Sequence, residues 1–132
     1  MLDRAKPPRL TEAQLQRQIL NWIGMCAPKV VVFANPNAAR RRRGGRAGNA
    51  VPGLTAGVPD LTLVFNGQAY FIEVKREGAP RSALKPAQRL MIDRLLTVGL
   101  AGVVVAQSLD DVRRAFYQWG IPTREHRQTK EG

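Results

Sequence analysis

The sequence has one cysteine and one histidine. A single cysteine, Cys26, excludes an intrachain disulfide and a zinc site built from several cysteines, so it is interpreted as a small core residue. The sole histidine, His126, has no possible partner at catalytic or metal-binding spacing. Chemistry that depends on clusters of cysteine or histidine is therefore disfavoured.

Long apolar runs are also absent. No run approaches the roughly 18 residues that a membrane-spanning helix needs, and residues 1–8 lack the apolar segment of a signal peptide. We therefore expect a cytoplasmic protein with no membrane partner. The 132 residues and the hydrophobic content of 44% suit one packed domain.

Acidic residues are scarce. Asp and Glu number 10 against 21 Lys and Arg, which gives a net charge of +11. Residues 13–59 contain seven basic residues and no acidic one. A basic surface that served only solubility would spread its charge evenly, so this asymmetry favours a binding face. Nucleic acid is the leading candidate for the anionic partner.

Apolar periodicity and turn residues predict the element order α-β-β-β-α-β-α. Thr11 as N-cap and Gln14 three residues later open a first helix that should end near Ala27. The other elements are predicted at 29–34, 61–65, 68–75, 86–98, 101–106 and 109–119. A hairpin followed by a helical crossover predicts an α/β fold with a small mixed β-sheet flanked by helices. The inward face of the second helix is predicted to contain Ala87, Met91, Leu95 and Val98.

These elements predict one domain over residues 10–120, between an N-terminal tail (1–9) and a disordered C-terminal tail (121–132). Residues 38–57 combine arginine with glycine and lack apolar periodicity, which predicts a mobile loop. Its basic run could bind phosphates, act as a nuclear-type signal or serve solubility. The arginines concerned are Arg40, Arg41, Arg42, Arg43 and Arg46.

Three charged residues should converge beside the hairpin. Asn66-Gly67 suits a two-residue type I′ turn, in which paired positions sum to 133 and Asp60 faces Glu73. Lys75 projects from the same face as Glu73. Like charges directly across a hairpin are destabilising, and a divalent cation would compensate. The alternative is ordinary strand-end charges on a solvated face.

Phosphodiester hydrolysis requires the parts that such a cluster could supply. A hard cation neutralises the charge that develops on the phosphate, and a base or polarising group delivers water. Mg²⁺ prefers oxygen ligands and retains several waters, which include a candidate nucleophile. Asp60, Glu73 and Lys75 are therefore the candidate catalytic centre.

The motifs resemble a known family. Gly57-Val58-Pro59-Asp60, Phe71-Ile72-Glu73-Val74-Lys75 and the later Gln88 are similar to the VRR-NUC branch of the PD-(D/E)XK nucleases, with support from Glu12 and Pro36-Asn37. The resemblance spans roughly residues 12–119. The chain departs from the pattern at Lys85, where a capping Ser or Thr is more usual, and in its dense arginine run.

The resemblance implies a restriction-endonuclease-like core. Asp60, Glu73 and the Val74 carbonyl would hold Mg²⁺ or Mn²⁺, Lys75 would orient or activate water, and Gln88 would support Lys75. Glu12 lies on the inward stripe of its helix and is a possible further ligand. It could equally be a first-turn acid that interacts with the helix dipole.

The resemblance also implies a Mg²⁺-dependent, structure-selective DNA endonuclease. It implies cleavage of four-way (Holliday) or other branched junctions by a homodimer without an organic cofactor, and a viral origin is consistent with it. DNA contacts are expected at Asn37, Arg76 and the arginines between positions 40 and 46. The alternatives are a flap- or end-directed nuclease and a basic nucleic-acid-binding module without catalysis.

Overall fold

The computed structural model describes residues 9–36, 52–99 and 102–125. Its elements confirm the predicted α/β class and element order. They are α1 (Glu12–Cys26), β1 (Val31–Ala34), β2 (Leu61–Phe65), β3 (Gln68–Val74), a 3₁₀ turn (Arg81–Ala83), α2 (Pro86–Thr97), β4 (Gly102–Ala106) and α3 (Leu109–Trp119). The arginine run, Asn37 and most of the loop predicted at 38–57 lie outside the described residues.

The strands form one mixed sheet in the order β1-β2-β3-β4. β2 is antiparallel to both β1 and β3, whereas β4 runs parallel to β3. Leu61 pairs with Ile72 and Phe65 with Gln68, so paired positions sum to 133. The turn residues Asn66 (φ 51°) and Gly67 (φ 74°) both have the positive φ that a type I′ turn requires. The predicted hairpin register is therefore confirmed.

One face of the sheet packs against α1 and α3 and forms the core. The capping box of α1 is present, because Thr11 Oγ1 accepts from the Gln14 N–H at 3.1 Å and Gln14 Oε1 accepts from the Thr11 N–H at 2.9 Å. The apolar stripe of α1 is buried at Leu15, Ile19, Trp22 and Ile23. The fully buried side chains of the core include Leu15, Ile19, Ile23, Leu61, Leu63, Ile72, Val74, Val112 and Phe116.

On the opposite face of the sheet, the described part of the chain places α2, which contacts β4. None of the α2 residues is buried. Met91 and Leu95 are partly buried, but Ala87 is exposed and Val98 is 79% exposed, so half of the predicted inward face is wrong. The predicted helical periodicity of the apolar residues was correct, but no other described element covers the exposed part of this face. Among the described residues, no helix has the length and apolar character needed to cross a bilayer.

The segment after α3 is packed, which corrects the prediction that disorder begins at residue 121. Gly120 adopts a left-handed conformation (φ 73°), and the Ile121 N–H donates to the Phe116 carbonyl at 2.9 Å, as in a Schellman motif. Ile121 and Thr123 are buried. The Arg124 N–H then donates to the Cys26 carbonyl at 2.8 Å. The described folded part therefore extends to residue 125.

Ile121→Ala should lower the free energy of unfolding by about 2–4 kcal/mol, because it removes a buried apolar side chain. Chemical denaturation followed by tryptophan fluorescence measures this loss. The matched control is Met25→Ala, at a side chain that is 68% exposed, which should change stability by less than about 0.5 kcal/mol. An equal effect of the two substitutions would contradict the packing of residue 121.

Candidate active site

Asp60 and Glu73 meet where β2 begins and β3 ends. Asp60 directly precedes β2, and its Oδ2 accepts a hydrogen bond from the Val74 N–H at 2.7 Å. Glu73 is the residue before Val74 and is only 2% exposed. The structure thus brings the two predicted carboxylates to adjacent positions, with the Asp60 side chain anchored on the β3 backbone.

Lys75 and Gln88 converge on one oxygen of Glu73. The Lys75 Nζ lies 3.3 Å from Glu73 Oε2, and the Gln88 Nε2 donates to the same oxygen at 2.9 Å. The Lys75 Nζ also donates to Gln88 Oε1 at 3.1 Å, which closes the triangle. The Lys75 side chain is 12% exposed, so these contacts are largely shielded from water. All four predicted catalytic residues are therefore brought together.

The first turn of α2 orients the Gln88 amide. Gln88 Oε1 accepts from the Lys85 N–H at 2.9 Å, which is one half of a capping box. The lysine side chain has no acceptor to supply the other half. Pro86 at the first helical position suits the start of this helix. The departure from the family pattern at Lys85 consequently leaves the backbone contact to Gln88 intact.

Asn35 holds the backbone on both sides of Asp60, a role that was not predicted from the sequence. Its backbone N–H donates to the Asp60 carbonyl at 2.8 Å, and its Nδ2 donates to the Pro59 carbonyl at 2.8 Å. The same Nδ2 lies 2.8 Å from Thr62 Oγ1, and Thr62 is buried. In a sequence, an asparagine that follows a strand cannot be distinguished from an ordinary turn residue, so this role could not be predicted.

Gly57 allows the loop before Asp60 to lie against α2. Its φ is +83°, and a Cβ atom added there would lie 2.2 Å from the Ala87 carbonyl oxygen. Both the conformation and the close approach exclude a larger residue without movement of one segment. The glycine of the Gly-x-Pro-Asp motif therefore sets the distance between the Asp60 loop and the helix that carries Gln88.

A pocket of about 250 Å³ opens above this cluster. Glu12 and Arg76 line it, together with the four predicted catalytic residues Asp60, Glu73, Lys75 and Gln88. Lys85, which was not predicted as a site residue, also lines the pocket. The site thus combines the buried carboxylate of Glu73 and the partly buried carboxylate of Asp60 with exposed cations, an arrangement that can accept a metal ion and an anionic substrate together.

The environment of Glu73 opposes its ionisation. The pKa of this carboxyl rises from its ordinary value of 4.5 to about 7, chiefly because burial removes water and then because of the nearby Asp60 charge. Lys75 acts in the opposite direction, and Glu12 adds a smaller upward effect. A bound cation would favour the ionised form of Glu73, because a nearby positive charge stabilises a carboxylate.

The donor set fits a hard divalent cation. Asp60 and Glu73 offer carboxylate oxygens, and the Val74 carbonyl is directed to the Asp60 side, where its own N–H points. Across residues 9–36, 52–99 and 102–125, no three His, Cys, Asp or Glu side chains are grouped for metal binding. Glu12 therefore lines the pocket without completing a three-acid cluster. Water would supply the remaining ligands, as is usual for Mg²⁺.

The metal-free protein should lose stability as the pH rises from about 5 to about 7. Because the pKa of Glu73 is about 7 in the folded state and 4.5 ordinarily, the folded state binds this proton more tightly than the unfolded chain. The resulting stabilisation is complete below pH 4.5 and is lost as the pH rises through about 7. The loss should be of the order of 2 kcal/mol, measured by denaturation in chelator at each pH.

Glu73→Gln should remove this part of the pH dependence, because the amide does not titrate. Glu77→Gln changes an exposed carboxylate four residues away and should leave the dependence as it is in the wild type. Parallel stability curves for the wild type and Glu73→Gln would contradict the shifted pKa of Glu73.

The comparisons with known proteins agree with this fold. The VRR-NUC domain family matches residues 6–108. A solved VRR-NUC domain protein is 26% identical, with a TM-score of 0.58 over 85% of this chain and 89% of its own. A second solved VRR-NUC domain shares the fold at 21% identity, with a TM-score of 0.56 over 81% of this chain and 95% of its own. The curated proteins give no match. This chain belongs to the VRR-NUC domain family and is a nuclease-type domain.

Proposed function

We propose that this protein is a Mg²⁺-dependent endonuclease that hydrolyses phosphodiester bonds in DNA. The observation that carries the proposal is the Glu73 carboxylate, buried near Asp60 and bound through one oxygen by both Lys75 and Gln88. A surface that only bound DNA would gain nothing from two carboxylates, because they repel phosphate. We expect Mn²⁺ to support activity as well, and the expected location remains the cytoplasm.

In this mechanism, Mg²⁺ held by Asp60, Glu73 and the Val74 carbonyl would neutralise charge on the phosphate and lower the pKa of a bound water. The chain's own groups do the remaining work. The Lys75 ammonium, fixed between Glu73 and Gln88, donates a hydrogen bond to the attacking water or to the phosphate oxygen. Gln88 keeps the Lys75 ammonium in place, because the side-chain amide of Gln88 is itself held by the backbone N–H of Lys85 at the start of α2.

The substrate is held by cations at the rim of the pocket. Arg76 and Lys85 line the opening beside the carboxylates and would pair with phosphate oxygens. Phosphate contacts of this kind position the strand without reading its sequence. The expected contacts of the arginines at 40–43 and 46 with DNA stay a prediction, as does that of Asn37.

Asp60→Asn and Lys75→Ala should each reduce Mg²⁺-dependent cleavage at least about 100-fold while DNA affinity is retained. The measurement is single-turnover cleavage, with binding followed in chelator. Asp93→Asn and Lys29→Ala make the same charge changes at exposed positions outside the pocket and should cleave at the wild-type rate. Undiminished cleavage by both site variants would reject the proposed centre.

We further propose branched DNA, with four-way junctions first, as the preferred substrate. This preference rests on the resemblance to the family. A panel of four-way junction, flap, duplex and single strand, each with Mg²⁺, Mn²⁺ or chelator, would rank the substrates. Faster cleavage of the flap would favour the flap- or end-directed alternative, and binding of all four without cleavage would favour the non-catalytic module.

We also propose that the protein acts as a homodimer, because two-fold symmetry matches a four-way junction. Support comes from the sheet face that α2 leaves uncovered, where Val31, Phe33 and Val64 are all exposed. Exposed apolar patches of this kind are typical of interaction surfaces.

Phe33→Glu should convert the dimer to a monomer, as measured by sedimentation velocity, because it places a charge on a side chain that is 49% exposed in this face. Met25→Glu, at an exposed side chain of α1, should leave the dimer intact. A monomeric wild type at micromolar concentration would reject the homodimer.

A further inference from the structure

A second, larger cavity of about 760 Å³ adjoins the carboxylate pocket. Lys75 and Ala79 line both spaces, so the two lie side by side at the lysine that the proposed mechanism uses. The volume lies in the range of roughly 300–1,000 Å³ that is typical of small-molecule sites. The cavity therefore has room for a molecular unit beside the group bound at Asp60 and Glu73.

Hydrogen bonds hold the walls of this cavity. The Gln107 Nε2 donates to the Ala79 carbonyl at 2.6 Å, which fastens the loop after β3 to the end of β4. The Arg89 Nε and Nη2 each donate to the Leu84 carbonyl at 3.2 Å, which fastens the same loop to α2. These hydrogen bonds are made within the protein, so they fix the loop that forms one wall of the cavity.

The lining has the mixed character of a nucleotide site. Leu84 and Val105 provide apolar surface, Gln107 provides an amide, and Arg89 and Lys75 provide positive charge. An apolar wall suits the faces of a base and a sugar, whereas the cations suit a phosphate. In a duplex, the bases are stacked and paired inside the helix and cannot enter a concave site. The occupant that fits is therefore a nucleotide that has left the stack.

We propose that this cavity binds one unstacked nucleotide of the DNA strand, next to the phosphate held at Asp60 and Glu73. The proposal rests on the proposed function for the position of that phosphate, but the cavity itself does not depend on cleavage. The substrate class is then DNA that has an unpaired nucleotide beside the cleaved bond. Intact duplex would first have to release a base, at an energetic cost that single strands and branch points avoid.

The test compares two short single strands with identical phosphates: an oligothymidylate and the same backbone with abasic sites. Affinities are measured by fluorescence anisotropy in Ca²⁺. The wild type should bind the oligothymidylate about fivefold more tightly, at the low end for a contacted base because none of the described residues that line the cavity is aromatic. Ser82→Leu narrows the cavity from an exposed position on its rim without adding a ring on which a base could stack, and it should bring the ratio of affinities close to one.

Matched variants separate this effect from a change in folding. Thr97→Leu places the same side chain on an exposed position at the far end of α2 and should keep the wild-type ratio. Leu84→Ala removes one apolar wall and should at least halve the ratio, which provides a second reading if Ser82→Leu fails to fold. Circular dichroism establishes that each variant is folded.

The outcomes for the cavity and for the proposed function are distinguishable. Equal affinity of the wild type for both strands, or an unchanged ratio in both cavity variants, would overturn the nucleotide site. Cleavage in Mg²⁺ is measured separately on the oligothymidylate and on branched DNA. A base preference without any cleavage would reject the nuclease and retain the cavity, and cleavage without a base preference would do the reverse.

Discussion

The buried carboxylate of Glu73 is the constraint around which the neighbouring elements are arranged. A buried charge is costly unless it is paired and hydrogen-bonded, and here Asp60 adds a like charge. The contacts from Lys75 and Gln88 to one carboxylate oxygen offset part of that cost. Removing either contact would leave the carboxylate more poorly compensated. The ammonium and the amide are therefore part of the local stability as well as of the proposed chemistry.

Tertiary contacts of the surrounding backbone make this arrangement possible. Asn35 fixes the carbonyls of Pro59 and Asp60, which keeps the carboxylate of Asp60 within reach of the β3 backbone. Gly57 lets the same loop lie against α2. Asn35 thus joins the end of β1 to the loop before β2, and Gly57 brings that loop against α2. The site consequently depends on packing between three segments that are distant in sequence.

The sequence predicted the parts of the site that depend on short-range rules. A two-residue turn and the alternation of side chains along a strand leave one register, and that register brings Asp60 near Glu73. Contacts between distant segments were not predictable in this way. The role of Asn35 and the burial of Ile121 both depend on a partner far along the chain. The exposure of Val98 was missed because periodicity identifies an apolar stripe but not the layer that covers it.

The confirmed hairpin register has a consequence for how related sequences can vary in length. A one-residue insertion between Glu73 and the turn would reverse the side chains that follow it, so that Glu73 pointed into the core and Val74 towards the pocket. Insertions of two residues restore the original facing, provided that the partner strand lengthens with them. Functional relatives should therefore keep the separation between the two acids odd, so that gaps in an alignment of this region come in pairs.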